Sequence, residues 1–191
     1  MSVVDFAVGA GRIDGLRIIT LKQVSDGRGT IRELFRRSAF EAAGLDVADF
    51  GQINVTETRR GAVRGIHAED MTKLLSVLAG QALGVYVDGR PGSPTFGQVE
   101  TVDLVPGTQV LLPAGVGNAF QALAEPTFYG YCFDHEWQPV MNGWACTPLD
   151  PALGVAWPIE IDPADPAQIS AKDAAAPTFA AAMSTATGGP S

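Results

Sequence analysis

Apolar and polar residues alternate over short runs through most of the chain, which is the period of half-buried strands. LRIITL (16–21) is a short β-rich run, and Asp26-Gly27 is a turn signal leading into TIRELF (30–35). In that run Ile31, Glu33 and Phe35 share one face of a strand. FGQINVTET (50–58) sets Ile53 and Val55 on one side and Gln52, Asn54 and Thr56 on the other. From Lys73 to Phe133 short strands follow one another, punctuated by Gly80, DGRPGSP, VPG and PAG at a spacing of roughly ten residues. RSAFEAAGLD (37–46) is the one clear helix, with Ser38 as its cap and Gly44 as its end. The pattern predicts an all-β sandwich or barrel with one or two short peripheral helices. There is no βαβ alternation, no GxGxxG and no P-loop, so a Rossmann or kinase reading has no support.

Beyond the strand series the chain becomes loop-rich, with prolines at 148, 151, 158, 163 and 166. The small, polar stretch from about Ala180 is expected to be a disordered tail, 180–191, following a single domain over 1–179. A chain of 191 residues is long enough for one domain with a sizeable core. No apolar run reaches the length of a membrane span, and the first residues lack the basic-then-apolar order of a signal peptide. Cys132 and Cys146 are the only cysteines, which reads as two reduced thiols in a cytoplasmic protein.

The net charge of −8 argues against a nucleic-acid partner. Its distribution is more informative. Of the 13 Lys and Arg residues only Lys172 lies beyond Arg90, so an anion would have to be met by the first ninety residues or by Lys172. GAVRGIHAEDMTK (61–73) gathers Arg64, His67 and Lys73, and charged groups pointing inward there would cost desolvation without a use. Strict strand alternation puts Arg64 and His67 on opposite faces, so a shared pocket requires a twist or bulge between them. Arg28, between two glycines in a turn, is either an anion contact or a plain turn arginine. His135, in CFDHEW, reads as a surface loop histidine. RGIHAED holds one histidine rather than the pair two residues apart that cupin metal sites use, and there is no CxxC, so no metal is expected. GxSxG is absent, and nucleophilic catalysis has no anchor.

Seven segments, in order, resemble the dTDP-4-dehydrorhamnose 3,5-epimerase family: DGRGTIRELF, GQINVTETRRGAVRGIH, TKLLSVLAGQALGVYVDGRPGSPTFG, LLPAGVGNAFQAL, YCFDHEWQP, LDPALGVAWP and ISAKDAAAP. The resemblance implies a double-stranded β-helix (a cupin-like jelly roll) and a homodimer in which an N-terminal strand joins the partner's sheet. It implies a cofactor-free isomerase acting on a dTDP-linked 4-keto-6-deoxyhexose, with no nucleic-acid or membrane partner. A base removes the proton beside the ketone, a cation or donor meets the enolate oxygen, and an acid returns a proton from the opposite face. By resemblance His67 is the base, Asp173 its carboxylate partner, Lys73 the group at the C4 oxygen and Tyr131 the acid. Tyr131 lies thirteen residues after Asn118 and eight before Pro139, as the family pattern has it, with Tyr129 the competing tyrosine on the same face. Arg28, Arg64 and Lys172 would meet the diphosphate. Glu33, Gln52 and Asn54 would contact sugar or nucleotide, and Trp137 would stack on thymine.

Two departures touch this pocket. Gly117-Asn118-Ala119-Phe120 stands where the family commonly has HGF, and Asn118 can donate a hydrogen bond but cannot carry a charge. The stretch from His67 to Lys73 is also several residues shorter, with HAED in place of an aromatic-Gln pair. Both bear on the substrate and on whether C3, C5 or both are inverted. A one-carbon epimerase, a ketoisomerase for a modified deoxysugar, and a jelly roll that only binds a nucleotide sugar remain open beside the leading reading.

Overall fold

The computed structural model describes residues 1–45, 49–139 and 141–187. In chain order its strands are β1 (Ser2–Val4), β2 (Ala7–Ala10), β3 (Arg17–Thr20), β4 (Gln23–Asp26), β5 (Gly29–Arg32) and β6 (Gln52–Thr58). There follow β7 (Val63–Glu69), β8 (Lys73–Ala79), β9 (Ala82–Asp88), β10 (Val99–Leu104) and β11 (Thr108–Leu112). The last three are β12 (Val116–Ala122), β13 (Thr127–Phe133) and β14 (Gly143–Ala145). Helices α1 (Arg37–Ala42), α2 (Ala171–Ala174) and α3 (Phe179–Thr187) lie outside the strand series.

Two antiparallel sheets face each other as a jelly roll. One has the order β2-β3-β11-β8-β13-β6 and the other β10-β9-β12-β7-β14. Alternation within each strand builds three apolar layers. Leu75, Val77, Tyr86, Leu112, Phe120 and Tyr129 point inward and fill the space between the sheets. Their neighbours Ile66, Val85, Val87 and Ala119 point outward and pack under Cys146, Leu153, Ala182 and Met183. On the other side Ile19, Leu21, Leu74 and Leu111 pack against Phe40 of α1, flanked by Phe35 and Phe50.

Three local expectations are corrected. Strand β5 stops at Arg32, so Glu33 and Phe35 lie beyond it, and Phe35 packs on Phe40 and Phe50 instead. Helix α1 is entered at Arg36, whose backbone is extended and whose guanidinium is drawn to Glu33 at 2.7 Å; Ser38 lies inside the first turn and caps nothing. Gly44, at φ +71°, does follow the helix end in the left-handed region. Residues 180–187 are helical rather than a loose tail. Alanine-rich sequence favours helix, the Phe179 amide donates to the Asp150 carboxylate at 2.8 Å, and Ala182 and Met183 are buried against the outer face of β7 and β9. Residues 188–191 of the expected tail lie outside the described residues.

The remaining strands form a separate sheet, β1-β4-β5. It covers no core: Val3, Val4 and Ile31 are all exposed.

Candidate active site

Strand β7 carries one wall of a cleft between the two main sheets. Its register against β12 pairs His67 with Asn118 and Arg64 with Phe120, so β7 has one residue more than β12 between these pairs. That extra residue is a β-bulge at Gly65–Ile66, and it re-aims Arg64 to the face that holds His67. The twist or bulge that alternation demanded is therefore present. Glycine is required there: φ is +111°, and a Cβ would come within 2.8 Å of Ala119 Cα. Outward-facing Ile66 and Ala68 are buried beneath the peripheral layer, which anchors the strand.

Asp173 lies 2.7 Å from His67 Nε2. It reaches this position from α2, a short helix capped by Ser170, whose hydroxyl accepts from the Asp173 amide at 3.0 Å. Burial alone would push the Asp173 carboxyl up. The hydrogen bond and charge of His67, the Ser170 hydroxyl and the Gly65 amide outweigh it, and the carboxyl is held below its ordinary value. A carboxylate on Nε2 fixes the tautomer: Nε2 carries the hydrogen and Nδ1 keeps its lone pair.

The facing wall comes from β8, β13 and β6. Lys73, only 4% exposed, opens β8 and forms an ion pair with Glu69. Tyr131 and Phe133 of β13 share the inward face with Gln52 and Asn54 of β6, their cross-strand partners. Burial pushes the Tyr131 phenol well above its ordinary value against the lowering effects of the Arg64 charge and the Thr56 hydroxyl, and Glu69 adds to the rise. Tyr131 is thus a neutral proton donor around neutral pH. Tyr129, on the same face one step deeper, is fully buried and stacked on Phe120 at 4.0 Å. It is core, and it lines neither the cleft nor the recess beside it.

The cleft, ≈ 470 Å³, is bounded by Gln52, Asn54, Arg64, His67, Tyr131, Trp137, Lys172 and Asp173, together with Thr56, Glu69, Phe133 and Ser170. It narrows to a recess of ≈ 80 Å³ between Arg64, His67, Lys73, Asn118 and Tyr131. Eight of the residues singled out in the sequence line the cleft, and Lys73 and Asn118 line the recess. The half-exposed Trp137 is held by its amide, which donates to Gln52 Oε1 at 2.9 Å. Arg64 donates through Nε to Thr58 Oγ1 at 3.1 Å. Arg28 and Glu33 are not brought in. Arg28 sits at the tip of the β4–β5 hairpin, bonded to Asp26, and Glu33 pairs with Arg36. His135 is half-exposed beside Asp134. Among the described residues no three His, Cys, Asp or Glu side chains are grouped so as to hold a metal ion.

Glu69 and Ser170 escaped the sequence reading, although each had a signal. Glu69 follows His67 by two and so shares its face, and Ser170 stands three before Asp173 in an N-cap pattern.

The fold and this cleft define a jelly-roll protein with a His–Asp pair on one wall of its cleft and a protonated tyrosine on the other. The chain belongs to the dTDP-4-dehydrorhamnose 3,5-epimerase family, whose model matches residues 10–181, and it is by that membership a carbohydrate isomerase. It is 39% identical over 164 residues to a dTDP-4-dehydro-6-deoxyglucose 3-epimerase of Streptomyces bikiniensis, covering 83% of this chain and 81% of the relative. The crystal structure of NovW, a 4-keto-6-deoxy sugar epimerase from the novobiocin gene cluster of Streptomyces spheroides, superposes with a TM-score of 0.86 at 29% identity, over 96% of this chain and 92% of that one. A 3'-monoepimerase of S. bikiniensis bears histidine-to-asparagine and tyrosine-to-phenylalanine substitutions in a complex with dTDP. It matches at a TM-score of 0.83 and 35% identity, over 93% and 89%.

Proposed function

We propose that the protein inverts a carbon beside the C4 ketone of a dTDP-4-keto-6-deoxyhexose. His67 Nδ1 takes the proton from the carbon, and the electron pair moves onto the C4 oxygen as an enolate. Asp173 stabilises the imidazolium that results. Lys73 meets the enolate oxygen, and Tyr131 delivers its phenolic proton to the other face of the carbon; solvent then reloads Tyr131 and discharges His67. The observation that carries this reading is the placement of a His67–Asp173 pair at 2.7 Å and a neutral Tyr131 around one cleft. Arg64 and Lys172 are cations suited to a diphosphate in a chain of net charge −8. Trp137 offers a half-exposed ring for the base. Asn118 Oδ1 is buried without a partner among the described residues, and a sugar hydroxyl entering the recess would satisfy it.

We also read the protein as a homodimer. Ile31 on the separate β1-β4-β5 sheet is 75% exposed, and Ile53 and Val55 on the outer face of β6 in the main sheet are 65% and 54% exposed, apolar surface suited to a partner. A second copy laid on that surface would cover it and could bring Arg28 and Glu33 to the neighbouring cleft. The two free thiols suit a reducing compartment such as the cytoplasm.

Action at C3 alone is a second reading, favoured by the identity to the S. bikiniensis 3-epimerase. Incubation with dTDP-4-keto-6-deoxyglucose in D2O tests both. Deuterium at C3 and C5 supports double inversion, and deuterium at C3 alone supports the second reading. No deuterium at either carbon, with dTDP still bound, makes the protein a binding jelly roll.

A further inference from the structure

We infer that Glu69 is a positioning residue of this site: its carboxylate holds the Lys73 ammonium at the inner recess, facing the oxygen on which negative charge develops. The inference rests on the enolate reading above.

Glu69 ends β7 and Lys73 begins β8, and the short connection between them is pinned. The Asp70 amide donates to Asn142 O at 3.0 Å, the Thr72 amide donates to the Asp134 carboxylate at 3.1 Å, and Met71 is buried. The backbone therefore delivers the carboxylate and the ammonium to one place. A buried ammonium needs a counter-charge, and Glu69 is the only carboxylate paired with Lys73 among the described residues. Glu69 also borders both the cleft and the recess beside His67, so it stands at the junction of the reacting groups. Its charge reaches Tyr131 as well, adding to the effect of burial that keeps the phenol protonated. One carboxylate thus serves the enolate's cation and the acid on the opposite wall. Glu69 acts on the substrate through Lys73 at the recess, so its loss should register in turnover.

The test is Glu69→Gln, which keeps shape and removes charge, assayed by solvent-deuterium entry into dTDP-4-keto-6-deoxyglucose with kcat and KM measured separately. The expected result is a fall in kcat of about tenfold or more with KM within about threefold. In a Lys73→Met background the same substitution should add little. A role confined to folding would lower Tm and leave the kcat of the folded enzyme unchanged, whether or not Lys73 is present. Should Glu69→Gln not fold, Glu69→Asp carries the test and should keep kcat within about threefold of wild type; a loss of about tenfold or more would overturn the inference. An unchanged kcat in Glu69→Gln, or a loss entirely in KM, also overturns it. Wild-type protein that exchanges nothing overturns the enolate reading itself, and the inference with it.

Discussion

Asp173→Asn isolates what the carboxylate does for His67. The substitution keeps the size of the side chain and the Ser170 cap, since the cap is made by the Asp173 backbone amide. It replaces a charged acceptor 2.7 Å from His67 Nε2 by a neutral amide. A hydrogen bond to a charged group is worth about 1.5–3 kcal/mol net, and each ~1.4 kcal/mol is tenfold in rate. The expected loss in kcat is therefore roughly 10- to 150-fold, drawn toward the lower end because solvent reaches the His67 ring and screens part of the charge. The assay is deuterium incorporation from D2O under single-turnover conditions, with dTDP affinity measured by calorimetry in parallel. Affinity should stay within about threefold, because the pair acts on the transferred proton and not on the nucleotide. A variant within twofold of wild type in kcat would refute the reasoning, since Asp173 would then be a structural carboxylate that happens to lie beside the imidazole.

Tyr131→Phe should leave deuterium entry largely intact while inversion fails, because His67 can still form the enolate and return a deuteron to the side it left. Tyr129→Phe should change neither, since its hydroxyl is buried in the core and lines neither the cleft nor the recess; equal loss of exchange and inversion in Tyr131→Phe would make Tyr131 a binding group. Gly65→Ala should cost about 2 kcal/mol or more in urea unfolding, since alanine is strained at positive φ and its Cβ meets the β12 backbone; a loss under about 0.5 kcal/mol would mean that the bulge tolerates a side chain. The Asp173 carboxyl is held below its ordinary value, so its stabilising contribution is complete above the ordinary carboxylate range. It is lost as pH falls through that range to the folded value; in acid titrations Asp173→Asn should flatten this part of the Tm curve, and an unchanged slope would count against the linkage. EDTA should leave exchange unchanged, and loss of activity restored by a divalent metal would sink the cofactor-free mechanism.

The amino-acid sequence by itself determined the architecture and named most of the side chains that line the cleft and its recess. Period-two patterning and evenly spaced turns specify strands locally, because every strand of a sandwich must send alternate side chains to a core. The residue types also announced themselves: His67, Asp173, Lys73 and Tyr131 carry the resemblance, and all four meet at one cleft and its recess. What alternation could not state was whether Arg64 and His67 share a face. The answer depends on one added residue at Gly65–Ile66, and a bulge is visible only in the register against β12. The choice between Tyr131 and Tyr129 was likewise undecidable from parity. Both point inward, and depth alone separates them, one at the mouth of the sandwich and one stacked on Phe120 in its core. Arg28 and Glu33 looked like cleft residues, yet they lie on or beside an arm that belongs to no core of its own chain. Residues 180–187 looked too small and polar to order. Their helix exists because the outer face of β7 and β9 offers Ala182 and Met183 a place to bury. Each of these outcomes rests on contacts between segments far apart in the chain, which local patterning does not encode and only the folded structure decides.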